Sequence, residues 1–138
     1  RAEEEVVRLF VSGESIHSFF KWKDETLAMP ANLLNELLLL QSVLYIKKAG
    51  VKIGKLIRQE LLPDHELALS TLLSKNIPSL ELDLENALQY LRRADIQINS
   101  SLKGWALVKY KHLSLGWIKI LPGRINNYYP KDWRILNK

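Results

Sequence analysis

The stretch Gly104-Trp105-Ala106-Leu107-Val108-Lys109-Tyr110-Lys111-His112-Leu113-Ser114-Leu115-Gly116-Trp117-Ile118-Lys119-Ile120-Leu121-Pro122-Gly123-Arg124-Ile125-Asn126-Asn127-Tyr128-Tyr129-Pro130 decides the reading of this chain. After Gly104 the pattern turns to period two, which marks strands over 105–110 and 115–121. In the second strand Trp117, Lys119 and Leu121 share one face, and Ile118 and Ile120 the other, because successive side chains alternate. Lys111-His112-Leu113-Ser114 joins the two strands, Pro122-Gly123 makes a turn, and residues 124–127 form a third strand. The last third of the chain is thus a small β unit, suited to a compact barrel rather than a large sheet.

Upstream, Asp83 is placed to cap a helix in which Leu84, Ala87, Leu88 and Leu91 form one apolar stripe. Arg92 and Arg93 close it at its negative end. Asn76-Ile77-Pro78-Ser79 reads as a domain boundary. Before it, Pro63-Asp64 opens a helix with Asp64 as N-cap and Glu66 in the first turn, to be buried by Leu67, Leu69, Leu72 and Leu73. Residues 51–57 alternate like a strand, and 43–46 read as another strand broken by Gly50. Pro30 suits a helix start, with Leu33, Leu34, Leu37, Leu38 and Gln41 following at helical spacing. Phe19-Phe20-Lys21-Trp22 and Thr26-Leu27-Ala28-Met29 flank Lys23-Asp24-Glu25 as a hairpin. Residues 3–11 fit strand or helix equally. The fold class is α+β: a small mixed N-terminal domain over 1–78, then a compact β-barrel over 79–138.

Of 138 residues, 47% are hydrophobic and 25% charged, a globular balance that argues against disorder. No run approaches the ~20 apolar residues of a membrane span, and the opening Arg1-Ala2-Glu3-Glu4-Glu5 is no signal peptide, so no membrane partner is expected. The chain begins with Arg1 and its only methionine is Met29, which suggests a piece of a longer protein. Cysteine is absent, which excludes disulfides, thiolate metal sites and a cysteine nucleophile within the chain. The net charge of +5 is unevenly spread: residues 103–138 hold eight Lys/Arg against one acid. They also hold six of the twelve aromatic residues. Cations meet phosphates and flat rings stack on exposed bases, so this interleaving points to a polyanion partner. A solvated basic face with core aromatics is the blander reading. Trp105 or Trp117 is expected to be at least partly core. Adjacent Tyr128 and Tyr129 cannot both face inward in an extended segment.

No catalytic or metal constellation is visible. Gly50, Gly54 and Lys55 have three residues between the glycines and Leu56 after the lysine, whereas a phosphate loop needs four and Ser or Thr. Ser12-Gly13-Glu14-Ser15 lacks the flanking glycines of a nucleophile elbow. His17, His65 and His112 have no metal spacing. Asp83 and Glu85 are explained by capping.

Gly104-Trp105-Ala106-Leu107-Val108, Leu115-Gly116-Trp117-Ile118-Lys119, the run from Gly123 through Asn126-Asn127-Tyr128-Tyr129-Pro130-Lys131, and Arg134 resemble the RNA-binding PUA-like domain of bacterial ribosomal RNA small-subunit methyltransferases of the F type. Leu80-Glu81-Leu82 and Tyr90-Leu91-Arg92 resemble the strand and helix leading into it. Phe20, Trp22, Leu27, Met29-Pro30 and the stretch from Pro63 to Leu69 carry a weaker likeness to the family's preceding segment. The resemblance implies a pre-PUA accessory α+β domain over 1–78 and a PUA-like RNA-binding barrel over 79–138. It also implies a cytoplasmic protein that methylates carbon 5 of an rRNA cytosine with S-adenosylmethionine, using two cysteines of an upstream catalytic domain. This chain, without cysteine or a glycine-rich cofactor loop, is then the RNA-binding module. Its partners are rRNA and its own methyltransferase domain.

Under this reading Lys109, Lys111, Lys119, Arg124, Lys131 and Arg134 contact the RNA backbone, and Asn126, Asn127, Tyr128 and Tyr129 contact bases or sugars. Trp117 belongs to the same surface, and Gly116 either admits RNA close to the strand or marks a bulge. Lys109 and Lys119 could equally be solvated strand residues, and the asparagines could bond their own backbone. The competing reading is a module that braces the catalytic domain with little RNA contact.

Overall fold

The computed structural model describes residues 2–13 and 16–137. Glu14 and Ser15 of the rejected elbow, and Lys138 of the basic tail, lie outside them. The chain divides into two compact units, Arg1–Lys75 and Asn76–Lys138. By sequence the first is neutral, with ten Lys/Arg against ten Asp/Glu, and the second carries ten against five.

The first unit opens with α1 (Ala2–Arg8), which settles the ambiguous start as a helix. Three glutamates occupy its first turn and Arg8 its last, in line with the helix dipole. Val7 is its buried anchor. A four-stranded antiparallel sheet follows, in the order β1-β2-β3-β4. β1 (His17–Trp22) and β2 (Glu25–Pro30) form the expected hairpin, with Trp22 opposite Glu25 across Lys23-Asp24. β3 (Val51–Ile57) pairs with both β2 and β4 (Glu60–Pro63). Gly50 and Gly54 have a packing reason to be glycine. A Cβ on Gly50 would run into the Ala28 carbonyl oxygen, and one on Gly54 into that of Leu62.

After Pro30 a short 3₁₀ turn (Ala31–Leu33) leads into α2 (Leu34–Val43). The expected strand at 43–46 is not there. The leucine run carries the helix to Val43, and Leu44 is extended (φ −128°, ψ 148°) without a strand to pair with. Of α2 only Leu37 is buried, while Leu38, Leu39, Val43, Leu44 and Tyr45 are each more than half exposed. α3 (His65–Leu69) begins as expected, with the Asp64 carboxylate accepting from the Glu66 N–H. It buries Leu67 and Ala68, but Leu69 faces out, and the helix stops at Ser70 before Leu72 and Leu73.

The second unit is a sheet in the order β5-β6-β7-β8 with α4 on one face. β5 (Ser79–Glu81) runs parallel to β6 (Gly104–Tyr110), and α4 (Leu84–Leu91) lies in the connection between them. β7 (Leu113–Leu121) and β8 (Arg124–Asn127) continue the sheet antiparallel. Asp83 caps α4 through the Asn86 N–H. The core gathers Leu82, Ala87, Tyr90, Ile96, Ala106, Val108 and Ile118. Leu84, expected in the buried stripe, is exposed, and Tyr90 is fully buried in its place. The α+β class holds, but the sheet is open. Among the described residues no ladder joins β5 to β8, because strands of three and four residues are too short for the tilt and stagger of a closed barrel.

Candidate nucleic-acid interface

Strand alternation sorts the second unit's residues onto two faces. Ala106, Val108, Ile118, Ile120 and Ile125 turn toward α4, which leaves Trp105, Leu107, Lys109, Trp117, Lys119, Arg124 and Asn126 for the other side. On that side β-pairing lines up Trp105, Lys119 and Asn126 across three strands. Tyr128 continues β8, its N–H donating to the Trp117 carbonyl at 3.1 Å. Its ring meets Trp105 edge-on at 4.6 Å between centroids. The Lys119 ammonium sits 5.2 Å from the Trp105 ring centre, a geometry worth ~0.5–1 kcal/mol at a partly exposed site. Trp105, Lys119, Asn126 and Tyr128 are all half-buried. Together they form a platform of two rings, one fixed ammonium and one amide.

Beside this platform, on the same face of the sheet, lies Trp117, only 1% exposed, meeting Trp105 edge-on at 6.4 Å. Its expected place at a partner surface is therefore corrected: its buried ring flanks Trp105. Two other expected contact residues face the α4 side. Tyr129 packs on the α4 cluster, edge-on to Tyr90 at 5.5 Å, so of the adjacent tyrosines it is Tyr128 that meets Trp105. The Asn127 amide donates to the Tyr90 carbonyl at 2.9 Å, and its side-chain oxygen accepts from the Tyr129 N–H at 2.9 Å. It ties the end of α4 to the chain leaving β8. Gly116 is buried, with φ at +149°, opposite Val108 and next to a register shift. It marks the bulge.

The remaining basic residues are dispersed. Lys109 lies at the far end of β6, and Lys111 sits in the exposed β6–β7 turn, its ammonium 5.5 Å from the Tyr110 ring centre. Arg124 stands at the opposite end of β7, about 20 Å away by strand rise. Arg124 also lines an open cavity of about 470 Å³ with Asp95, Ser100, Ile120 and Ile125. Lys131 and Arg134 are exposed on the tail, in and just after the 3₁₀ turn Lys131–Trp133. The tail is anchored where the Ile135 N–H donates to the Leu91 carbonyl at 3.0 Å.

Trp105 was not among the expected contacts. It could have been found, because a strand-opening tryptophan whose antiparallel neighbour carries a lysine of the same facing is a ring with a cation above it. Among the described residues no group of His, Asp and Glu could hold a metal ion, and no helix is long and apolar enough to cross a membrane.

Comparison with known proteins bears on the same segment. Residues 77–135 match the family model described as the methyltransferase RsmF PUA domain. The chain is also 31% identical, over 88 residues, to the ribosomal RNA small subunit methyltransferase F of Shewanella loihica. That match covers 62% of this chain and 18% of that protein's length. The matched segment opens just before β5 and closes at Ile135, the residue that pins the tail to α4. Residues 77–135 are thus similar to the PUA domain of the methyltransferase RsmF.

Proposed function

We propose that this chain is an RNA-binding part of an rRNA cytosine-5 methyltransferase, and that it holds rRNA in place for a catalytic domain. The observation that carries this reading is the Trp105–Lys119–Asn126–Tyr128 platform on the family-matched unit, whose charge is net positive. Phosphates would meet Lys119 and Arg124, and an unpaired base would stack against Trp105 and Tyr128. Lys109 and Lys111 would follow the backbone along the sheet, with Lys131 and Arg134 on the tail. Tethering such a surface to a catalytic domain raises the effective concentration of RNA there. S-adenosylmethionine would belong to that domain. Here Gly50 and Gly54 are spent on strand packing and cysteine is absent. Work on rRNA would place the protein in the cytoplasm.

The test is binding of the chain to rRNA fragments across a salt titration. The expected log–log slope is about −2 to −4, as for a few phosphate contacts on flexible RNA. Lys119→Glu with Arg124→Glu should weaken binding at least tenfold while thermal unfolding is retained. Absence of binding at low salt, or indifference to the double substitution, would overturn the reading.

The exposed leucines of α2 favour a second reading, in which the first unit braces the methyltransferase domain. The α2 amides should then be protected from hydrogen exchange only when that domain is joined to the chain.

A further inference from the structure

The first unit is neutral overall, yet four of its ten Lys/Arg line one small cavity. Trp22, Lys23, Glu25, Leu27, Lys47, Lys48 and Lys52 surround about 140 Å³ at the end of the β1–β2 hairpin. Two of these lysines are held in position. The Lys52 ammonium pairs with Glu25 at 2.9 Å, and Lys48 pairs with Glu66. An ammonium has three donors, so each keeps others for a ligand. Lys23 and Lys47 form no ion pair among the described residues. Lys23 is also carried in a left-handed backbone conformation (φ 58°) at the hairpin turn. With Glu25 the one acid in the wall, the cavity's lining is net positive by three.

We propose that this cavity is a second RNA site, taking one backbone phosphate among the lysines with the adjoining base against Trp22. The cavity, about 140 Å³, has room for a phosphate, which the four ammonium groups in its wall favour over a neutral base. The adjoining base would then stack on the Trp22 ring of the same wall. Tyr45, two residues before Lys47 in sequence, is 89% exposed. This inference rests on the reading of the chain as an RNA binder, and it assigns the neutral first unit a direct part in that binding.

The experiment measures affinity of the whole chain for a labelled single-stranded 12-nucleotide RNA across a salt titration. Lys23→Glu with Lys47→Glu should weaken binding by about tenfold. Lys23→Gln with Lys47→Gln should weaken it less, and reduce the salt slope by about 0.7 for the one phosphate lost. Photocrosslinking with 4-thiouridine RNA should label the peptide containing Trp22. Each variant is first matched to the parent chain in circular dichroism and thermal midpoint; the Gln pair serves if the Glu pair misfolds. Weakening by Lys119→Glu with Arg124→Glu but not by either Lys23/Lys47 pair overturns the second site and leaves the platform standing. Weakening by the Lys23/Lys47 pairs alone upholds the cavity and overturns the platform. No binding by the parent chain overturns both.

Discussion

Tyr90 shows how one side chain can fix a surface it does not belong to. Its hydroxyl donates to the Trp117 carbonyl at 3.0 Å from inside the α4 core. The same carbonyl accepts from the Tyr128 N–H on the platform side. Burial pushes the Tyr90 phenol well above its ordinary pKa, so it stays protonated and able to donate. Tyr90→Phe removes one donor but leaves the carbonyl bonded to Tyr128. The expected loss is therefore about 1 kcal/mol, at the modest end for a buried hydrogen bond. Urea unfolding would measure it, and a loss above about 3 kcal/mol would contradict this account. At this scale the sequence was legible where alternation alone decides facing, as for Lys119 against Ile118. It was not legible for Trp117 or Asn127. A tryptophan in a basic strand reads the same whether its ring meets a partner or flanks another ring. An asparagine reads the same whether it binds RNA or its own chain.

Among the elements, the end of α4 is the most instructive. The Ala94 N–H donates to the Gln89 carbonyl and the Arg93 N–H to that of Tyr90, which is a Schellman closure. Its left-handed position, usually glycine, is held by Arg93 at φ 59°. The Arg93 side chain gains only a long 3.5 Å contact to the Asn127 carbonyl. Arg93→Gly should therefore stabilise the second unit by about 0.5–1 kcal/mol, relieving the left-handed strain at some entropic cost. A rise in denaturation midpoint with unchanged RNA affinity would bear this out; a fall would show that the contact to Asn127 outweighs the strain. Helix starts were readable because Asp64 and Asp83 each offer a carboxylate to an orphan N–H. The end of α2 was not readable. Residues 43–46 have the apolar character of a strand, but a strand exists only where a neighbour supplies its hydrogen bonds.

Across the whole molecule, charge sets how stability depends on pH. In the first unit, burial lowers the pKa of His65 below the usual histidine value. Burial opposes ionisation of Glu66, but its bonds from Lys48 and from the Lys52 N–H win, and its carboxyl lies below the usual range. Both groups bind protons more readily unfolded than folded, so stability falls as the pH is lowered. The histidine contribution declines as pH drops below 6.5, and the Glu66 contribution is complete above 4.5 and lost as pH falls through its lowered folded value. Urea midpoints between pH 8 and 3 should show both declines, and Glu66→Gln should remove the lower one. A midpoint unchanged from pH 7 to 4 would refute the assignment. The basic character of the second unit follows from charge counts. The cavity around Trp22 does not, since its lysines come from two segments that only folding brings together.

The sheet of the second unit has one rim of three residues and another of four, the latter followed by a tail bonded back to α4. Sheet rims are where foreign strands add on and where chains polymerise. A rim this short gives an incoming strand few backbone groups to pair with. Long RNA gathers many copies of a binding protein along one strand, at local concentrations where longer open rims would invite fibre growth. For a chain that binds RNA as proposed, blunted rims would keep such crowding from turning into strand addition.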